Sequence, residues 1–295
     1  MDRHEGSQQG EGTMTESLAR DRHGPAVTDM PLDRRSGSSE GYALRFLGIG
    51  GGTSQGSPIA VVERGAEPLL MLDCGPGAVD GYRAQYDALP HSVYLTHTHM
   101  DHVGGLEELF HAAAPLVIGG KQAPIRLFAP ASIVARLQER VVGNAFVRAE
   151  GGTNFWDAFQ LVPVTGGFWL DSLWFRVFEV RHMQPRFCYG VALPGSFLFT
   201  GDTRPIPEVL REYATEGETI FHDCAVRANP AHSGFVDLLN EYPGETLDRI
   251  VVYHYGSVEN GRRLESHGFR IAKLGRRHEL PAPLQAGAAE TRLAS

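Results

Sequence analysis

The stretch Leu95-Thr96-His97-Thr98-His99-Met100-Asp101-His102-Val103-Gly104-Gly105 limits what this chain can fold into more than any other. It continues the apolar run Val93-Tyr94-Leu95 and places three histidines and one aspartate within six positions. Imidazole nitrogens mixed with carboxylate oxygens suit divalent transition metals, whereas calcium and magnesium prefer shells made of oxygen alone. If the segment leaves a strand and tightens into a turn, His97 and His99 point to one side while Asp101 and His102 present a second set of donors. Two metal ions a few ångströms apart would then share one hydrolytic centre.

The 295 residues allow one large domain or two small ones, and a content of 42% apolar and 21% charged residues is ordinary for a soluble globular protein. A net charge of -8 provides no general basic footprint for nucleic acid, although a local basic groove is compatible with it. Cys74, Cys188 and Cys224 are odd in number and widely spaced, which fits neither a disulfide framework nor a zinc knuckle. They read as free thiols in a reducing compartment. No apolar run approaches the roughly eighteen residues that span a bilayer, and the first residues lack the apolar core of a secretory signal. A cytoplasmic protein with no membrane association is therefore expected. Residues 1–40 hold little to bury and are expected to form a mobile tail, followed by one domain over 41–280 and a second flexible tail over 281–295.

Within the domain, polar residues recur where apolar strands end. Tyr42–Leu47 reads as a first strand running into the glycine-rich turn 48–54, which lacks the Lys-Ser/Thr ending of a phosphate loop and suits close approach of a strand end to the metal centre. Ser57–Val62 and Pro68–Leu72 read as a hairpin that ends at Asp73, a residue suited either to orienting a metal-binding histidine or to capping the turn. The alternating run Leu173–Val180 exits at His182, Ser196–Thr200 runs into Asp202, Glu218–His222 into Asp223, and Arg249–Tyr253 into His254. Helices are expected over 78–89, 106–114, 132–142 and 207–213, and from Ala231 to about Asn240. Glu107, Glu108 and His111 belong to the second of these more than to a metal site. The aromatic residues Phe146, Phe155, Trp156 and Phe159 read as core, with a lid or a dimer contact as the second choice. Strands that each end in a potential ligand suggest spokes meeting at one edge of packed sheets.

The motif His97-Thr-His-Met-Asp101-His102, followed in order by His182, Asp202 and His254, resembles the dinuclear site of the metallo-β-lactamase superfamily over about residues 42–280. The resemblance implies an α+β fold, a four-layer αβ/βα sandwich with two facing mixed sheets and helices outside. It also implies that His97, His99 and His182 hold one metal ion, that Asp101, His102 and His254 hold the other, and that Asp202 bridges both. Zinc is the expected ion, with manganese or iron compatible by ligand type. A narrower resemblance is to the tRNA 3′-processing endonuclease branch and its small phosphodiesterase relatives, carried by Phe46-Leu-Gly-Ile-Gly50, Thr200-Gly-Asp-Thr203, His222-Asp223-Cys224-Ala225 and Ala231-His232-Ser233-Gly234. Asp and Gly replace that branch's Glu and Thr in the last two boxes, and its long basic arm for grasping tRNA is not evident.

These features imply a metal-dependent hydrolase of a cyclic nucleotide or other small nucleotide-like phosphodiester, acting through a metal-bridging hydroxide. Asp101 and Asp202 would serve catalysis as well as metal binding. His232, held by Asp223, would contact phosphate or protonate the leaving group, with helix-start packing as the alternative for His232. Arg204 and Arg227 read either as phosphate contacts or as exposed salt bridges. The competing functions are tRNA 3′ processing with RNA as substrate, acyl hydrolysis as in a lactonase, thioesterase or β-lactamase, and nucleotide binding without turnover. A homodimer is expected from the resemblance.

Overall fold

The described residues form fourteen strands in two seven-stranded sheets that face each other, most of them built on the apolar runs of the sequence. In this computed structural model of the chain, residues 41–50, 56–143, 153–183, 185–214 and 217–284 are described. The expectations for residues 1–40, for the turn at 51–54, for Phe146 and for residues 285–295 lie outside them. The order is β1 (Tyr42–Gly48), β2 (Ile59–Arg64), β3 (Glu67–Leu72), α1 (Ala78–Tyr86), β4 (Ser92–Tyr94), α2 (Met100–Val103), α3 (Leu106–Ile118) and β5 (Ile125–Pro130). A helical segment of three successive geometries covers 131–142, its middle turn being α4 (Val134–Leu137). Next come β6 (Phe159–Val164), β7 (Gly167–Leu170), β8 (Leu173–Glu179), β9 (Tyr189–Leu193), β10 (Phe197–Phe199), α5 (Pro207–Tyr213) and β11 (Thr219–Asp223). The chain finishes with α6 (Phe235–Glu241), α7 (Gly244–Leu247), β12 (Ile250–Tyr253), α8 (Val258–Ser266), β13 (Arg270–Ile271) and β14 (Arg277–Leu280).

The first sheet runs β14-β1-β2-β3-β4-β5-β6 and the second β13-β12-β11-β10-β9-β8-β7. Each has antiparallel pairs on one side and parallel pairs on the other, with β3–β4–β5–β6 and β10–β11–β12–β13 as the parallel halves. Parallel neighbours point their C-terminal ends the same way. The residues that follow β3, β4, β10, β11 and β12 therefore gather at sheet edges, and these are the residues with the chemistry.

The inner strands of the first sheet are buried on both faces, so alternate residues enter different cores. Ala60, Val62, Leu70, Leu72, Tyr94 and Phe128 join the core between the sheets. Their neighbours Val61, Met71, Val93 and Leu127 pack outward with Val79 and Tyr82 of α1 and Leu106 and Phe110 of α3. The aromatic segment expected near residue 155 is core: Phe155 and Phe159 are buried and stack at 4.3 Å between centroids.

Among the elements that escape the sequence reading are β7, α7, α8, β13 and β14. The strand β14, Arg-His-Glu-Leu, has no apolar alternation, yet it pairs with β1 from Tyr42↔Leu280 to Arg45↔Arg277. A buried carboxylate explains how so polar a strand is held. Glu63 of β2, 1% exposed, accepts from Arg45 Nε (2.6 Å), Arg277 Nε (2.7 Å) and the Tyr86 hydroxyl (2.7 Å). One side chain thus links β1, β2, β14 and α1. Past β14, the Leu284 N–H donates to Pro194 O (2.9 Å). Replacing Glu63 by Ala strands two guanidiniums and a phenol, and is expected to lower unfolding free energy by about 2–3 kcal/mol in urea titrations, with Glu63→Gln losing less.

Candidate metal centre

The histidine-rich turn is fastened to the end of β3 before any metal is considered. Asp73 adopts a left-handed backbone (φ 62°), and its N–H donates to Tyr94 O. Its carboxylate accepts from the Thr96 N–H (2.8 Å), the Thr96 hydroxyl (2.8 Å to Oδ2) and His102 Nδ1 (2.7 Å). The Cys74 N–H donates to His102 O, and the Gly105 N–H to Cys74 O. A Cβ on Gly75 would lie 1.8 Å from Asp101 O, so only glycine lets the two turns touch. Asp73 therefore combines both roles considered for it: it shapes the turn and it orients a histidine.

The strand exits then converge. His97, His99, His182 and Asp202 form one donor set, and Asp101, His102, Asp202 and His254 form another, the donor atoms of each lying within 4.8 Å of one another. Asp202 is common to both. Its Oδ2 lies 3.8 Å from His97 Nε2, 3.1 Å from His102 Nε2, 3.7 Å from His182 Nε2 and 3.5 Å from His254 Nε2. On the far side of each ring, Nδ1 meets protein: the Thr96 hydroxyl at 3.0 Å for His97, Asp73 for His102, Ala231 O at 2.9 Å for His182, and Asp223 Oδ1 at 3.6 Å for His254. His99 reverses the pattern, presenting Nδ1 to His97 Nε2 (3.1 Å) and His182 Nε2 (3.0 Å).

This arrangement fits divalent metal ions. An imidazole whose outer nitrogen is held by a protein acceptor offers its inner lone pair in a fixed direction. Asp202 Oδ1 and His254 Nε2 are buried without a hydrogen-bond partner, a cost that coordination would remove. Burial, reinforced by neighbouring imidazoles, pushes the His97, His99 and His182 pKa values down, so these rings are neutral donors at neutral pH. His102 and His254 differ: although burial opposes it, the Asp202 charge raises both, His254 to about 9, with Asp73 adding to the effect at His102 and Asp101 at His254. Burial also opposes the ionised form of Asp202, but His102 and His254 hold it well below the usual carboxylate range.

Beside the second set lies a further pair. His232 Nδ1 is 2.8 Å from Asp223 Oδ2, and its ring stacks on His254 at 4.8 Å and meets His182 edge-on at 4.7 Å. His232 does not begin a helix as expected: α6 starts only at Phe235. The Ser233 N–H and hydroxyl are both taken by Thr203 O, and the Ala225 N–H by Ser233 O, which holds the backbone out of helical geometry up to Gly234. His111 lies on α3 beside Glu107, outside both donor sets. Arg204 pairs with Asp237 and Arg227 is exposed. The sequence reading missed Thr96, whose position inside the motif was the available signal, and the Ala231 carbonyl, a backbone atom that no residue type marks.

Metal and proton compete for the same nitrogens, so the two sets should load differently. Below about pH 9 the His254 nitrogen carries a proton that an ion must displace. We expect calorimetric titration of the metal-free protein to show one ion whose affinity changes little between pH 7 and pH 9. The second should bind more tightly with rising pH, by up to about tenfold per unit for each proton released. Equal pH dependence at both sites would contradict this assignment.

The chain's relatives agree with the geometry. A family model described as "Anti-Pycsar protein Apyc1" matches residues 42–277. The anti-Pycsar protein Apyc1 of Bacillus phage BSP38 is 28% identical over 236 residues, covering 72% of this chain and 87% of that protein. Among solved structures, the metallo-β-lactamase fold protein YhfI from Bacillus subtilis superposes with a TM-score of 0.62 at 14% identity, over 81% of this chain and all of the other (100%). A diphosphatase from the PhnP family superposes at 0.64 and 19% identity, over 82% of this chain and 98% of the other. Two His/Asp sets on this scaffold are the apparatus of a metal-dependent hydrolase. With the metallo-β-lactamase sandwich in place and the family model matched from the first strand to the start of the last, the chain belongs to the anti-Pycsar protein Apyc1 family.

Proposed function

We propose that this hydrolase cleaves small phosphodiesters, cyclic nucleotides foremost, at a centre where His97, His99 and His182 hold one ion, Asp101, His102 and His254 the other, and Asp202 both. The observation that carries the reading is the His232–Asp223 pair, set 2.8 Å apart against the imidazoles of both donor sets. Two divalent ions, when bound, activate water and neutralise developing charge on phosphoryl oxygens. Zinc suits the five imidazoles. The protein supplies what the ions do not. An alkyl leaving group departs as an alkoxide and needs a proton, which His232 would give. Burial works against protonation of His232, but the hydrogen bond and charge of Asp223 raise its pKa above the ordinary value. Asp223 also accepts from the Thr203 N–H (2.9 Å), which fixes the carboxylate and, through it, the ring.

A net charge of -8 favours a small anion over a large nucleic acid that requires many phosphate contacts. The family match to anti-Pycsar proteins and the fold shared with a diphosphatase support a nucleotide-like substrate. Among the described residues no helix is long and apolar enough to cross a membrane. We further propose that the active species is a homodimer.

The test is a hydrolysis screen of metal-loaded protein with cyclic mononucleotides, cyclic dinucleotides, linear oligonucleotides, precursor tRNA, lactones and thioesters. Turnover of cyclic nucleotides is expected. Cleavage of precursor tRNA at a defined 3′ site, or turnover of acyl substrates alone, would overturn the reading. His232→Ala should reduce kcat by about 10²–10⁴-fold on alkyl phosphodiesters and much less on p-nitrophenyl esters, whose leaving group needs no proton. Because the protonated ring is the active form, wild-type activity should fall as pH rises through the raised His232 pKa, and this alkaline limb should vanish in the variant.

A further inference from the structure

The turn after β10 makes three attachments from three consecutive residues. Asp202 stands among the imidazoles. Thr203 donates its N–H to Asp223 Oδ2 (2.9 Å), while its carbonyl accepts from the Ser233 N–H (3.0 Å) and hydroxyl (2.8 Å). Arg204 sends Nη1 to His232 O (2.9 Å) and to Asp237 Oδ2 (2.5 Å), with Asn229 O at 3.4 Å. Its own N–H donates to Arg181 O (2.7 Å), on the residue before His182. Asp237, the anchor of the guanidinium, also accepts from the Gly234 N–H (2.9 Å) at the start of α6.

We propose that Arg204 is the positioning residue for His232: its guanidinium, bolted to Asp237, holds the backbone of the 229–232 loop so that the imidazole stays on Asp223 and against His254. The assignment rests on the reading of His232 as the leaving-group acid. It follows from what else secures the loop. The Asn229 side chain accepts from the Ala231 and His232 N–H groups (2.8 and 2.9 Å), which are contacts internal to the loop. Outside attachments are the ring bond to Asp223, the Ser233 contacts to Thr203, the bond from His182 to Ala231 O, and Arg204. Among the described residues, Arg204 is the one outside group that reaches the carbonyl of His232, which within the loop also accepts from the Asn229 N–H (3.2 Å). The same short turn therefore sets the Asp202 carboxylate, the orienting Asp223 and the loop of the acid, so their spacing is held by two peptide units. A guanidinium can do this because its charge is never lost and Nη1 alone carries two hydrogens, one for the Asp237 carboxylate and one for the His232 carbonyl. A phosphate contact would instead act on substrate affinity, so KM and kcat separate the two roles.

The experiment compares Arg204→Met and Arg204→Lys with wild type, His232→Ala and the Arg204→Met/His232→Ala double variant. Metal stoichiometry and thermal midpoint are measured on each, and Asp237→Asn replaces Arg204→Met if the latter does not fold. On a 3′,5′-cyclic nucleotide, Arg204→Met should lower kcat by about 10²-fold with KM unchanged, the scale of a misplaced catalytic group. On bis(p-nitrophenyl) phosphate the loss should be small, the double variant should be no slower than His232→Ala, and Arg204→Lys should recover part of the rate. Independently of turnover, ¹⁵N-edited NMR of the metal-free chain should show the His232 Nδ1–H signal of the Asp223 hydrogen bond in wild type and its loss in Arg204→Met. A rise in KM alone, an equal loss in the His232→Ala background, or an unchanged His232 signal would each overturn the inference. If His232→Ala itself shows no dependence on leaving group, the reading of the acid fails instead, and the NMR comparison still decides whether Arg204 positions the ring.

Discussion

A carboxylate oxygen buried among imidazoles is the interaction on which this molecule depends. Asp202 Oδ2 has four histidine Nε2 atoms within 3.8 Å, and Asp202 is 2% exposed. Packed so closely and so dry, these groups are stable only if each ring is held from outside and if cations or protons balance the charge. Both requirements are visible. Every ring that points Nε2 inward has its Nδ1 against protein, and the two with raised pKa values are those nearest Asp202.

The two sheets answer the problem of bringing such groups together from distant parts of the chain. A parallel half in each sheet aims several strand ends in one direction, and the turns that follow present Asp73, His97 to His102, Asp202, Asp223 and His254. The strands themselves contribute rigid burial. Phe46, Phe199, Phe221 and Tyr253 pack between the sheets, and Phe199 stacks on Tyr253 at 4.8 Å. Functional turns thus rest on the least compliant part of the molecule, where a displacement of an ångström would be costly.

Legibility in the sequence followed the same division. Strands buried on two faces announce themselves by apolar runs, and a polar residue just past such a run is conspicuous, which marked His182, Asp202 and His254 as candidates; the resemblance then paired them with the motif at 97–102. Helix α5 matched its expected span because Pro207 opens it and the apolar spacing continues to Tyr213. Strand β14 was not legible, since its pairing with β1 is supported by Glu63 rather than by apolar side chains. The start of α6 was misplaced for a related reason: Ser233 and Gly234 look like a helix start, but the Ser233 N–H and hydroxyl donate to the carbonyl of Thr203, distant in sequence, and are held out of helical geometry.

The sequence by itself determined the donor types and the order in which they arrive, because residue type and spacing are local properties, and the resemblance carried by those residues implied the sandwich. Only the tertiary structure decided how those donors are supported. Which atom accepts the outer nitrogen of each histidine, that His232 sits in a loop, and that the Arg204 guanidinium meets the His232 carbonyl all depend on contacts between segments far apart in the chain. Backbone carbonyls such as Ala231 O belong to every residue alike, so their roles exist only once the chain has folded and placed them.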